Sequence, residues 1–142
     1  KESLEKRSPS NREDLVENGN IHYFIGSVHQ RLNQMQLAGE HFQKAFEIVS
    51  SLLLPDEDNL LLIRVAIAEV NTEIAQYPSA LKELTEVLEL IDKNYHKKDP
   101  ILKVRIFLAV GNLYIKLGKD EKALSNLSLA YYCIRIRGAI QT

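Results

Sequence analysis

The sequence predicts an all-α fold built from three stacked helical hairpins, and three observations carry that expectation. Apolar residues recur with the helical period from about residue 13 onward, and no stretch alternates with period two for long enough to form a strand. Turn-forming residues divide the chain into six segments of helical length. Four columns of residues repeat at a spacing of 42 to 43 positions: Gly26, Ala68 and Gly111; Ala38, Ala80 and Ala123; Phe42, Leu84 and Leu127; Ala45, Val87 and Ala130. A helical hairpin that is apolar on two faces cannot bury both alone, so repeated hairpins must stack on one another.

Taken in order, residues 1–12 mix charges with Ser8, Pro9 and Ser10 and carry only Leu4 as a large apolar side chain, which reads as a solvated lead-in. Residues 13–142 form the repeat region, in units of about 19–58, 59–99 and 100–137. Ser10 followed by Glu13 fits a capping box that opens the first helix, expected over 14–33. The second is expected over 37–53, where Pro55 stops it and Asp56 and Asp58 offer caps for a third over 59–75. A fourth is expected over 79–95. Asp99 followed by Pro100 is a cap with proline at the first helical position, opening a fifth over 101–117. Gly118 then ends that helix and Asp120 caps a sixth over 121–137.

Within each unit the small residue of the first helix and the alanine of the second stand twelve apart, as in Gly26 and Ala38, Ala68 and Ala80, and Gly111 and Ala123. The hairpin turn therefore has a fixed length. Small residues at both places let antiparallel helices approach closely, and Phe42, Leu84 and Leu127 fill the space one turn further on.

Composition narrows the function. The 142 residues are 45% hydrophobic and 26% charged, with 18 basic and 19 acidic residues and a formal charge of −1. That balance provides no field to hold nucleic acid or an anionic membrane, and partners of those two classes are not expected. Apolar runs such as 52–54 and 60–63 are too short to span a bilayer. A lone Cys133 cannot form an intrachain disulfide, and a reducing, cytoplasmic setting is expected. The chain starts at Lys1 and its one methionine is Met35, from which a fragment of a longer protein is expected.

No catalytic constellation emerges, and no metal or cofactor is expected. His22 and His29 lie about 10.5 Å apart along one helix, too far to share a metal ion without a third group between them. They are expected to replace packing aromatics. Glu40 and His41 lack the second histidine of a zinc-protease pattern, His96 sits in the polar run 94–99, and no glycine-rich phosphate loop occurs. The lysines 97, 98, 116, 119 and 122 are interleaved with Asp99, Asp120 and Glu121, which reads as mixed solvated surface and not a phosphate track.

In the third unit Phe107, Val110, Gly111, Tyr114, Ala123, Leu127 and Ala130 stand in the order and spacing of the tetratricopeptide repeat signature, which the chain therefore resembles. The first unit matches with Ile25, Gly26, Ala38, Phe42 and Ala45 but has His22 and His29 at aromatic positions. The second matches with Ile67, Ala68, Ala80, Leu84 and Val87 but has Arg64 and Asn71 there. The family period is about 34 residues, so each unit here carries extra length between hairpins, as in the long-helix subclass found in kinesin light chains, cell-polarity adaptors and bacterial peptide-sensing regulators.

The resemblance implies a right-handed α-solenoid with a concave groove that receives a protein or peptide partner. The family's groove positions fall on Tyr23, Ser27, Gln30 and Arg31, then on Val65, Glu69, Thr72 and Glu73, then on Arg105, Leu108, Asn112, Ile115 and Lys116. Ser27 and Glu69 stand where members that clamp acidic chaperone tails need asparagine or a cation, and Glu73 adds repulsion, which disfavours that role. Asn112, Gln30 and Thr72 are expected to bond a peptide backbone, with Tyr23, Leu108 and Ile115 receiving its side chains. A second surface is expected on the last helix. Leu129, Tyr132 and Ile136 replace Lys44, Glu47 and Ser51 of unit one and Glu86, Glu89 and Lys93 of unit two, which predicts association through an apolar stripe, including self-association. The leading expectation is thus a non-enzymatic adaptor. The alternatives are a ligand- or peptide-sensing domain of a longer regulator, or a structural oligomerisation segment of a large assembly.

Overall fold

A computed structural model describes residues 11–52, 57–93 and 100–141, and among these only helices and short turns occur. In chain order they are α1 (Asn11–Arg31), α2 (Met35–Ser50), α3 (Glu57–Glu73), α4 (Tyr77–Lys93), α5 (Pro100–Lys116) and α6 (Asp120–Gln141). All six expected helices are present. The caps proposed at Ser10, Asp56 and Asp99, and the break at Pro55, lie outside the described residues.

The observed boundaries fall one to three residues before the expected ones, except at the end of α6, and the turns explain why. Helix α2 starts at Met35 behind Gln34, whose side chain makes no capping bond. Helix α4 takes Pro78 into its first turn, where the missing N–H costs nothing because it would have had no partner in the helix. At the C-terminal ends of α1, α3 and α5 the chain leaves the helix through a left-handed residue: Asn33 at φ 64°, Ala75 at φ 66° and Gly118 at φ 74°.

The same two backbone bonds close each turn. The N–H of Asn33 donates to the Gln30 carbonyl and that of Gln34 to His29, and Ala75 donates to Thr72 and Gln76 to Asn71. Gly118 likewise donates to Ile115 and Lys119 to Tyr114. This is the Schellman closure, which satisfies carbonyls that the helix end would leave without donors.

The chain divides into two compact units, Lys1–Val70 and Asn71–Thr142, with the boundary inside α3. In the first, α1 and α2 pack as an antiparallel pair. A Cβ at Gly26 would stand 2.7 Å from the Phe42 ring and one at Gly19 would stand 2.8 Å from Val49 Cγ2, so the absence of side chains sets the approach of the two helices. Helix α2 also meets α3, and Phe42 and Val49 touch both neighbours. Ala38 and Phe42 cluster with Ala66 and Val70, while Ala45, Val49 and Leu52 cluster with Ile63. Burying a side chain such as Phe42 or Ile63 stabilises by about 1.5–3 kcal/mol, and removing that burial is the main route to unfolding.

In the second unit α5 packs on α6 and on α4. A Cβ at Gly111 would lie 2.8 Å from Leu127 Cδ2. Gly26 and Gly111 therefore occupy the close crossings that the repeat alignment predicted. Leu84, Val87, Ile106 and Leu113 are fully buried here.

Candidate functional site

Groove positions in the first unit come from α1 and α3. Ser27 Oγ donates back to the Tyr23 carbonyl at 3.0 Å, as hydroxyls four residues along a helix do. Gln30 Nε2 donates to Glu69 Oε1 at 3.2 Å. Arg31 is exposed. Tyr23 is half-buried, with its ring centroid 5.5 Å from that of Phe42, and it packs against both apolar clusters. It contributes to the core as well as to the surface.

In the second unit Asn112 Nδ2 donates to Glu73 Oε2 at 3.3 Å, and Lys116 Nζ lies 3.5 Å from Glu73 Oε1. Leu108 and Ile115, seven residues apart on α5, are 47% and 52% exposed, and Arg105 is half-buried. The Gln30–Glu69 and Glu73–Asn112 pairs share a sequence separation of 39, one repeat less about one helical turn. The same separation joins Asn20 and Asn59, whose side chains meet at 3.5 Å. Each first-helix row is thus tied to the next by polar side chains in a constant register.

Two groove assignments need correction. Val65 is fully buried and Thr72 is 2% exposed, so neither side chain is open to a ligand. Both lie in an i, i+3, i+7 row with Ala68, itself fully buried, and that row belongs to the packed face of α3. Glu69 and Glu73, on the neighbouring row, are the residues that reach the surface. Gln30 and Asn112 also differ from the expectation of open donors, because each already spends an amide N–H on a carboxylate. An amide side chain has two donors and an acceptor, so capacity for a further bond remains.

The histidines form a stack that spacing along one helix cannot reveal. His41 of α2 lies between His22 and His29 of α1, with ring centroids 5.3 Å and 5.6 Å away and small interplanar angles of 26° and 17°. His22 Nδ1 and His41 Nδ1 are 3.1 Å apart, close enough for a hydrogen bond when one ring donates and the other accepts. His29 Nδ1 is 2.7 Å from Gln34 Oε1. Desolvation lowers the His41 pKa below its usual 6.5, and the charges of His22, Lys44 and His29 act in the same direction. The rings occupy the aromatic packing positions of the hairpin. Among the described residues no cluster of three His, Cys, Asp or Glu is placed to hold a metal ion.

On α6 the expected stripe is at the surface: Leu129 is 45%, Tyr132 63% and Ile136 43% exposed. No described helix is long and apolar enough to cross a membrane.

Comparison with known families agrees with this geometry. Residues 17–93 match the family model of the tetratricopeptide repeat. That span contains α2, α3 and α4 and most of α1. No curated protein and no solved structure gives a match.

Proposed function

Because the chain belongs to the tetratricopeptide repeat family, whose helical hairpins mediate protein–protein interaction, we propose that it is a non-enzymatic adaptor that holds an extended peptide segment of a partner protein in a reducing, cytoplasmic compartment. The observation that carries this reading is on α5. Leu108 and Ile115 offer apolar footholds beside the polar cluster of Asn112, Lys116 and Glu73. An extended peptide needs both kinds of contact: pockets for alternate side chains and polar groups for its backbone. In the first unit Gln30, Arg31 and Glu69 supply the polar part, with Tyr23 and Ser27 beside them. Leu129, Tyr132 and Ile136 form a second contact surface for a protein partner, since an exposed apolar stripe of this length is a common docking feature.

The test is selection of peptides from a random displayed library on the wild-type chain, followed by titration against an Ile115→Asp, Lys116→Glu variant. Binding is expected to weaken by about tenfold or more, the effect of losing about 1.4 kcal/mol at one anchor, with helicity unchanged. Equal binding by both proteins would refute the groove assignment.

A further inference from the structure

We infer that this chain associates head to tail with a second copy of itself, the outer face of α6 in one molecule receiving the outer face of α1 in the next. The starting point is an asymmetry between equivalent positions. Ile21, Phe24 and Val28 lie at i, i+3 and i+7 on α1 and are 47%, 68% and 56% exposed. Their equivalents on α3, Ile63, Ala66 and Val70, are at most 3% exposed, and those on α5, Ile106, Ala109 and Leu113, at most 7%. The residue types stay apolar in all three repeats. Among the described residues, only on α1 is the row without a covering helix.

What covers this row on α3 is known. Ala38 and Phe42 of α2 sit on Ala66 and Val70, Val49 sits on Ile63, and Gly39 approaches Val70 so closely that an added Cβ would be 3.3 Å from Val70 Cγ1. The covering row on α2 is thus Gly39, Phe42, Phe46 and Val49. Adding two repeats takes it to Leu124, Leu127, Tyr131 and Ile134 on α6. Leu124 is 66%, Tyr131 62% and Ile134 53% exposed, so among the described residues no row lies against this face of α6. One molecule therefore presents both halves of the α2–α3 joint, each unfilled.

Charge favours the pairing of these two faces. The α2–α3 joint is antiparallel, since Gly39 approaches Val70 while Val49 clusters with Ile63. Placed the same way, the acidic first turn of α6, Asp120 and Glu121, falls beside the basic last turn of α1, with His29 and Arg31. At the other end Ile134 takes the place of Val49, which lines a small cavity with Asn59, the equivalent of Glu17, so the pairing sets Arg135, the next residue of α6, on the turn of helix that approaches Glu17. The opposed helix dipoles add to the same preference.

This inference is independent of the peptide groove, and the experiment separates the two. Sedimentation velocity of the 142-residue chain should show a mean mass that rises with concentration beyond a dimer, because a heterologous contact leaves one face open at each end. Phe24→Asp and Tyr131→Asp change exposed positions, so each variant should stay helical by circular dichroism and become monomeric. Mixed in equal amounts, they should form a heterodimer and stop there, since one supplies an intact α6 face and the other an intact α1 face. Glu17→Arg or Arg135→Glu alone should weaken assembly about fivefold, the scale of an exposed ion pair, and together they should restore it. Leu129→Glu with Tyr132→Glu, on the other side of α6, should leave assembly intact. A monomeric wild type at high concentration, continued assembly by Phe24→Asp, or a monomeric mixture of the two single variants would overturn the inference. Loss of selected-peptide binding without loss of assembly would bear on the groove alone.

Discussion

Ala75 and Gly118 hold the same left-handed backbone, at φ 66° and 74°, in the same hydrogen-bonded turn one repeat apart. The conformation is demanded by the Schellman closure and not by the residue, because a Cβ in this region crowds the following carbonyl and costs about 1–2 kcal/mol. Asn33, the first-unit equivalent, is a residue type that tolerates the region.

The turn therefore predicts opposite effects for two substitutions. Ala75→Gly should stabilise by about 0.5–1 kcal/mol, and Gly118→Ala should destabilise by about 1 kcal/mol. No atom lies within 4 Å of a Cβ placed at Gly118, so its effect is purely conformational. Denaturant midpoints at constant m-value measure both. Equal shifts of the same sign would contradict the shared backbone requirement.

Close crossings at Gly26 and Gly111 should resist even one methyl group. A Cβ at Gly26 meets the Phe42 ring at 2.7 Å, and that ring is fully buried. Gly26→Ala should cost about 1–3 kcal/mol by overpacking, and Gly111→Leu at least as much. Phe42→Leu in the Gly26→Ala background should recover part of the loss by making room. Thermal melts of the single and double variants test this, and simple additivity would show that the two positions are not in contact.

Acidification should destabilise the first hairpin through His41. Its folded pKa lies below 6.5, so the folded state binds fewer protons than the unfolded state between those two values. Stability then rises with pH through that window and levels off above it, and it falls as pH drops below 6.5. Protonating the accepting ring also removes the acceptor that joins His22 and His41. The melting temperature should fall between pH 7.5 and 5, and His41→Phe, which keeps an aromatic ring without a charge, should flatten that slope. An unchanged slope in the variant would assign the pH dependence to other groups.

Replacing Glu73 by glutamine isolates the polar register on α5. Lys116 and Glu73 are about one-third exposed, so their ion pair should contribute less than about 1 kcal/mol, screened by salt. Glu73→Gln keeps an acceptor for Asn112 while discharging the pair with Lys116. Stability measured in low and high salt should change little. A loss of several kcal/mol would mean that Glu73 has a structural role beyond these two contacts.

Much of this protein was legible in the sequence, because its fold rests on local chemistry repeated three times. Helical periodicity, the twelve-residue gap between Gly26 and Ala38 and between Gly111 and Ala123, and the 42 to 43 residue spacing locate six helices and the close crossings without reference to distant contacts. Ends of helices were less legible, since the closure at Ala75 uses backbone bonds that no side chain announces. What only the tertiary structure decided are relations between residues far apart in sequence. His22 and His29 look isolated along α1 until α2 folds back and inserts His41 between them. Val65 and Thr72 read as groove residues by analogy, yet a rotation of about 70° around the helix separates their buried row from the row of Glu69 and Glu73, which reaches the surface. Apolar rows on α1 and α3 are indistinguishable as sequence, and burial differs because a covering helix lies on one and not on the other. Periodicity reports which residues share a face; the identity of whatever meets that face is a property of the folded chain.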